Sequence, residues 1–428
     1  MNDARPLAFV VQRYGVDIVG GSESLCRAVA EMQVAWRPVE VLTTCAQDYM
    51  TWRNHYPAGV SVLNGVTVRR FPVDFERDHR FHVAFRAILG GFTVADYPRQ
   101  RALVRAAVGR STPQQEREFL TLQGPYSTPL LDYLAAHHQE YALIVFFTYL
   151  YPATVFGSER VPAVKTVLAP TAHDEAPIFL PIFRSLFARF PAFIFLTPEE
   201  RQFIEETFAV AGARKATIGM PVALAGTPEA DRFRRKYGID GPFLLYAGRI
   251  DSSKGCDQLV HFFQAARRHL PGNLSLIFIG NRVMDLPRDR AIRYLGMLPE
   301  QDKADAMAAA TVFVQPSHFE SFSIVILEAM LCGTPVLVNG HCEVMKGHVR
   351  RSQGGLYYEG YAEFVEALRW LLDHEALRSR MGQNGAEYVR RNYGPEVVAG
   401  RYRAFFDHLL VAASTWRGTA PAPLAGTT

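Results

Sequence analysis

Along most of the chain, apolar runs of strand length alternate with longer amphipathic stretches, and glycine-containing loops mark the changes. "LAFVVQ" gives way to a glycine loop and then to "SESLCRAVAEMQ", after which "VEVLTT" opens a new run. "YALIVFFTYLY", "AVKTVLAPT" and "AFIFLT" read as later strands of the same half. In the second half "PFLLYAGR" precedes "CDQLVHFFQAARRHL", and "LSLIFIG", "TVFVQPS" and "TPVLVNG" follow with helical or loop sequence between them. Runs that are apolar at nearly every position suit strands buried on both faces. Their alternation with helical patterns indicates parallel sheets covered by helices on both sides. The pattern occurs twice, which predicts two doubly wound α/β domains.

The boundary is expected between Met220 and Pro242, in "GMPVALAGTPEADRFRRKYGIDGP". That stretch is rich in Gly and Pro at both ends and holds one helix candidate, with Thr227 as N-cap and Pro228 at the first position. Residues 1–220 then form a first domain and 221–395 a second, with a C-terminal helix near 396–415 returning to the first. Residues 75–135 read as a long helical insertion whose arginines lie on a solvated face. The aromatic stretch "IFLPIFRSLFARF" has the apolar spacing of a core helix rather than of a membrane-facing surface. The tail 416–428 is predicted to be disordered.

Composition narrows the class. The chain has 428 residues, enough for two cores, and a net charge of only +4 spread over both halves. That argues against a nucleic-acid partner and against a polybasic membrane anchor. The 5 cysteines are scattered and form no CxxC, which points to reduced thiols in a cytoplasmic protein rather than a disulfide scaffold or a zinc site. The N-terminus lacks the basic and long apolar regions of a signal peptide. No apolar run approaches the ~18 residues of a spanning helix. Peripheral contact with a membrane surface stays open.

Four stretches carry candidate chemistry. In "VVQRYGVDIVGGSESLCRAVA" a strand leads through Gly15, Gly20 and Gly21 into a helix expected to start near Ser22. Glycines let backbone N–H groups approach an anion, and a helix N-terminus adds partial positive charge. The spacing fits neither a dinucleotide fingerprint nor a P-loop, and a tight turn capped by Ser22 explains it equally well. In "LLYAGRIDSSKGCDQLV" Gly248 and Arg249 leave a predicted strand, and Lys254 lies just before a helix. An arginine fork and a lysine charge at a strand's carboxyl end suit a diphosphate, although most such residues are simply solvated.

The third stretch is "HFESFSIVILEAM", with Glu320 before and Glu328 inside an apolar helix. That helix is expected to start near Phe322, capped by Ser321 or Ser323, and to end at Gly333. Eight helical positions correspond to roughly 800° of rotation and about 12 Å of rise, so the two acids cannot share a proton. A carboxylate at position 320 is favoured by the helix dipole. One at 328 is costly unless paired, either with ligand hydroxyls or, in the free protein, with water or a cation such as Arg249. The fourth stretch, "LAPTAHDEAP", sets His173 at a strand end, where a lone histidine is more often structural.

Taken in this order, the four stretches resemble glycosyltransferase family 4, the retaining nucleotide-sugar transferases of GT-B fold. The most specific element is "GRIDSSKG" followed by the Glu320–Glu328 pair and "EAMLCGTPV". The resemblance implies that Arg249 and Lys254 neutralise the donor diphosphate, without a metal ion or other cofactor. It implies that Glu328 accepts from the ribose hydroxyls, that Glu320 faces the transferred sugar, and that His173 lies near the reacting centre. Gly248, Ser321 and the N–H groups of Phe322 and Ser323 would flank the sugar or phosphate. Gly296 and Leu298 would meet the base, and Gly20 and Gly21 would approach the diphosphate from the other domain. The donor would be a UDP- or GDP-hexose and the acceptor a hydroxyl on a saccharide, lipid-linked or small molecule. A non-catalytic nucleotide-sugar binder and a GT-B sugar-nucleotide epimerase are the alternatives. Ser321 and Ser323 stand where the family often has Gly and then Gly or Pro, and the 75–135 insertion has no counterpart in it.

Overall fold

The structure, a computed structural model, describes residues 4–415 apart from Val19 and positions 94–95, 98–99 and 271–272. The tail expected to be disordered, 416–428, lies outside the described residues. The first half builds an 8-stranded sheet from β1 (Leu7–Val10), β2 (Val39–Thr44), β3 (Gly59–Leu63), β4 (Val66–Phe71), β5 (Leu143–Phe147), β6 (Thr166–Ala169), β7 (Ala192–Phe195) and β8 (Arg214–Thr217). Its order is β3-β4-β2-β1-β5-β6-β7-β8, with β3 antiparallel to β4 and the other pairings parallel.

The second half builds a 6-stranded parallel sheet from β9 (Phe243–Ala247), β10 (Ser275–Ile279), β11 (Ile292–Tyr294), β12 (Val312–Gln315), β13 (Val336–Asn339) and β14 (Gly355–Tyr358), in the order β11-β10-β9-β12-β13-β14. The central strands are buried along their whole length, as their unbroken apolar runs require.

Each sheet reverses its winding at one point. Leu7 of β1 faces Val39 of β2 on one side and Leu143 of β5 on the other. Leu244 of β9 faces Leu276 of β10 and Val312 of β12. Open α/β sheets bind ligands outside the carboxyl ends of the strands that flank such a reversal. The segments that follow β1, β9 and β12 are those the sequence had marked as chemically unusual.

The chain crosses between the halves twice. Between β8 and β9 it passes through Gly219 and Val222, and it returns near Tyr393 into the helix Pro395–Thr415. The crossings are bonded together: the Val222 N–H donates to Tyr393 O at 2.8 Å, and the Tyr402 hydroxyl donates to Gly219 O at 3.1 Å. The returning helix lies on the first half, where Phe406 meets Phe9 and Trp36 and Gln33 donates to Ala399 O.

Some local expectations need correction. The helix after the first glycine loop, Gly21–Gln33, is capped by Gly20, and Ser22 instead donates to Glu23. The linker helix is Ala230–Tyr237 with Glu229 at its N-cap, so Thr227 and Pro228 precede it. The insertion forms the helices His79–Ile88, Arg101–Val108, Pro113–Gln123 and Thr128–His137. They are not simply solvated: Phe81 and Phe85 stack on Phe119, and Val104 and Val108 are fully buried. Phe183 and Phe187 of the helix Pro181–Arg189 are also fully buried, as a core helix demands. The cysteines are free thiols, and no helix among the described residues is long and apolar enough to cross a membrane.

The helix Ile324–Leu331, which carries Glu328, is backed by the long helix Glu375–Tyr393. The two approach through glycine: a Cβ on Gly382 would stand 1.9 Å from Gly333 O. Gly382→Ala should therefore cost about 1–3 kcal/mol of stability through overpacking. Gly400, on an exposed helical position with open space around its missing Cβ, is the control; Gly400→Ala should add about 0.5–1 kcal/mol. Urea denaturation of both variants checks the pair, and unchanged stability of Gly382→Ala would refute the close contact.

Candidate active site

The segment after β9 is shaped by backbone constraints. Gly248 (φ 148°) and Gly255 (φ 74°) have positive φ, and a Cβ on Gly255 would lie 2.6 Å from Pro316 O. Between them Asp251 accepts from the Ser253 N–H at 2.7 Å and caps the single turn Ser252–Lys254. Burial acts to raise the Asp251 pKa, but Ser253, Arg249 and Lys254 outweigh it and hold it below the usual value. Arg249 is half-exposed, with Nε 3.2 Å from Asp251 Oδ2 and Nη2 3.3 Å from Ser253 Oγ. Lys254 points the other way, and its Nζ donates to Glu320 Oε1 at 2.8 Å. The two cations singled out in the sequence thus share one turn, and each is held by a carboxylate.

Glu320 belongs to the segment that follows β12. Phe322 anchors that segment, buried edge-on against His348 and Tyr393 at 5.7 and 5.2 Å. Burial pushes the His348 pKa down to about 3, so its ring is neutral. Ser323 is the N-cap of the helix Ile324–Leu331, but its backbone is left-handed (φ 58°) and its side chain makes no cap bond. The expected serine thus occupies the cap position without making the cap bond. Only glycine adopts that conformation without strain. The Ser323 hydroxyl is buried and unpartnered among the described residues.

Glu328 faces the helix Glu300–Ala309 rather than the β9 turn. Its Oε1 accepts from Lys303 Nζ at 3.1 Å, and Lys303 also meets Glu300 at 2.5 Å; the expected partner Arg249 is not used. Burial lifts the Glu328 carboxyl while Lys303 pulls it back. Burial likewise lowers Lys303, but Glu328 and Glu300 outweigh it and leave it raised. We read the pair as charged, because a lysine that meets two carboxylates keeps its proton. Glu328 Oε2 is left without a partner among the described residues.

The opposite wall comes from the segment that follows β6. His173 stands edge-on to Phe319 at 6.0 Å, with Nδ1 3.3 Å from Glu175 Oε1 in an ion pair. Burial works to lower the imidazole pKa, and the Glu175 carboxylate more than offsets it. Two acids outside the expected site residues hold this loop. Glu200 accepts from the N–H groups of Ala172 (2.7 Å) and Leu196 (2.6 Å), and burial pushes it up to about 8. Asp174 accepts from Arg105 at 2.7 Å and from the Tyr97 hydroxyl, and pairs with Arg101 at 3.3 Å. "TPEE" carried a signal for Glu200, because Thr197 caps its helix and a glutamate three positions on reaches back past the cap.

A cleft of about 320 Å³ lies between the walls, lined by His173, Glu200, Glu320, His318, His341 and Arg101 among others. Of the sequence-predicted residues, His173 and Glu320 line it, and Lys254 reaches it through Glu320. Arg249, Gly248, Ser321, Phe322, Ser323, Glu328, Gly296, Leu298, Gly20 and Gly21 are not part of that lining. Gly296 has φ 80° and accepts from the Gly280 N–H at 2.9 Å. Nothing lies within 4 Å of a Cβ built on Gly296 or on Gly21. On Gly20 it would meet Glu23 Oε2 at 2.3 Å, where Glu23 forms a buried pair with Arg13.

Known proteins share part of this chain's sequence and its overall fold. Residues 229–388 match the family model described as glycosyl transferases group 1. This segment is thus similar to that family, in line with the chain's resemblance to glycosyltransferase family 4. The chain is 29% identical over 267 residues to a D-inositol 3-phosphate glycosyltransferase of Xylanimonas cellulosilytica, covering 57% of each protein. It is 32% identical over 184 residues to a phosphatidyl-myo-inositol mannosyltransferase of Mycobacterium leprae, covering 41% of this chain and 48% of that one. The chain thus spans about half the length of the curated relatives it matches. Among solved structures, sucrose-phosphate synthase from Thermosynechococcus elongatus superposes with a TM-score of 0.67 at 17% identity, over 95% of this chain and 100% of that one. Anabaena HepE in complex with UDP and glucose superposes with a TM-score of 0.64 at 16% identity, over 94% of this chain and 100% of that one. The fold is GT-B.

The Lys303–Glu328 pair has a pH signature. A carboxyl whose pKa is raised on folding favours the folded state below its unfolded value and withdraws that support as pH rises through its folded value. Lys303→Met removes the counterion and lifts Glu328 further. The variant should lose up to about 3 kcal/mol at pH 8 and much less at pH 5. Urea denaturation at the two pH values checks this, and adding Glu328→Gln should erase the difference.

Proposed function

We propose that this chain is a retaining glycosyltransferase that moves a hexose from a nucleoside-diphosphate sugar to an acceptor hydroxyl, in the cytoplasm and without a metal ion. The observation that carries the reading is the Lys254–Glu320 pair beside Arg249, set at the reversal point of the second sheet and opposite His173. The family match of residues 229–388 supports it, as do neighbours of the same fold described in complex with UDP and with UDP-glucose. The same neighbours favour a UDP-hexose over a GDP-hexose as donor.

In this reading the donor diphosphate takes Arg249 and Lys254 away from Asp251 and Glu320. Freed from Lys254, Glu320 accepts from a hydroxyl of the transferred sugar. Ribose hydroxyls satisfy the unpartnered oxygen of Glu328, and the base lies against Gly296 and Leu298. Gly20 and Gly21 bring backbone N–H groups to the diphosphate from the first half. The N–H groups at Phe322 and Ser323 aim at the same charge, with Ser321 and Gly248 alongside.

The bond that breaks joins the anomeric carbon to the phosphate oxygen, and the bond that forms joins that carbon to the acceptor oxygen on the same face. The acceptor proton passes to the departing phosphate. Negative charge grows on the diphosphate as it leaves, so preorganised cations lower the barrier more than they strengthen ground-state binding. His173, kept protonated more readily by Glu175, adds a donor beside the sugar.

Arg249→Ala and Lys254→Ala should each lower kcat by about 100-fold or more while changing donor affinity less. Product formation from UDP-hexoses, followed by proton NMR, should show retained anomeric configuration and no loss of rate in EDTA. Inversion, or dependence on a divalent ion, would overturn the corresponding part of the proposal. Turnover of donor to its epimer with no acceptor present, or binding without any turnover, would replace it with the epimerase or non-catalytic reading.

A further inference from the structure

The insertion contributes to the cleft one cation, Arg101, whose counterion is shared with a second arginine. Arg101 opens the helix Arg101–Val108 and lines the cavity with His318 and His341 of the opposite half. Its counterion Asp174 is already engaged by Arg105 at 2.7 Å and by Tyr97, and Arg101 reaches the second oxygen only at 3.3 Å. One carboxylate thus serves two guanidinium groups.

Across the cavity, His318 and His341 stack at 5.9 Å with nearly parallel rings. They extend from the ends of β12 and β13. Nε2 of His341 lies 3.0 Å from Glu359 O, and His318 makes no hydrogen bond among the described residues. Burial, His341 and Arg101 all weaken the hold of His318 on a proton, opposed by Asp257. Basic groups from both halves therefore converge on one space.

The other acids that line the space are occupied. Glu199 pairs with Arg351, Glu320 with Lys254 and Glu343 with Lys346, while Glu200 accepts from two backbone N–H groups and Glu206 from Gln202. The space is about 320 Å³, within the range of small-molecule sites. It shares His173 and Glu320 with the proposed reaction centre, so a molecule seated in it presents its hydroxyls there.

We propose that the acceptor carries a phosphate monoester and that Arg101 and His318 bind it across the cleft, with His341 stacked against His318. This rests on the transferase reading and adds the acceptor's chemical class. A guanidinium fork matches phosphate oxygens in pairs, and an imidazole N–H of His318 completes the set from the other half. The insertion is then an acceptor-reading element rather than a surface elaboration.

The test uses the full chain saturated with UDP, so that the proposed diphosphate site is filled. Calorimetric titration with glucose 6-phosphate, inorganic phosphate and glucose should give binding by the two phosphates and none by glucose. Arg101→Ala should weaken phosphate binding about tenfold or more, with Arg101→Lys partly restoring it. His318→Asn should weaken it from the other wall, which keeps the test decisive if Arg101→Ala disturbs the Asp174 loop. UDP affinity should be unchanged in all three variants.

Equal binding of glucose and glucose 6-phosphate, or phosphate binding unaffected by Arg101→Ala and His318→Asn, would overturn the subsite and leave the transferase reading standing. A parent chain that binds no UDP would overturn the transferase reading, and the proposal with it. Inorganic phosphate binding without glucose 6-phosphate binding would identify a free-anion site and reject the acceptor.

Discussion

The site depends on one backbone contact. Gly255 sits against Pro316 O, at a spot where any side chain would collide, and this holds the turn after β9 flush with the end of β12. Parallel neighbouring strands bring their carboxyl ends to one edge but do not set the distance between the loops that leave them. The missing Cβ sets it. Lys254 then lies within 2.8 Å of Glu320, although 66 residues separate them in the chain. Arg249 is fixed to the same turn by Asp251.

Without a ligand, the functional cations and anions neutralise one another. Lys254 with Glu320 and Arg249 with Asp251 are partly exposed, and pairs of that kind contribute about 0–1 kcal/mol. In the proposed reading they exchange partners at little cost when a diphosphate arrives. Lys303 with Glu328 differs: it is more buried, and separating it would leave a carboxylate in an apolar helix. The first two pairs therefore suit a switch and the third suits a fixed floor, whose unpartnered oxygen can accept new donors without surrendering the lysine.

The sequence made the architecture legible because buried parallel strands are written as uninterrupted apolar runs, and nine of these lie within strands of the two sheets. The hairpin β3–β4 escaped notice although Asn64-Gly65, both with positive φ, is a strong two-residue turn signal. Its outer strand is exposed and lacks the apolar run. β11 and β14 are short and half-buried, with too few positions to show a period. In the site, residue types at strand ends could be read, but partners could not. Nothing near Glu328 announces Lys303, which arrives from another helix. Ser323 looks like a cap in sequence because serine usually is one; its left-handed backbone is a tertiary result. Arg101 was indistinguishable from a solvated helical arginine until the insertion was seen to fold against the "HDE" loop.

The two chain crossings between the halves are bonded to each other at Val222–Tyr393 and Gly219–Tyr402. Two connections placed far apart would weld the halves together, and a single one would let them twist freely. Two that run side by side behave as a hinge pin. In the proposed transferase, that line is the axis about which the halves would open to admit a donor. His173 and Glu320, carried on opposite leaves, must meet in the same register at every closure.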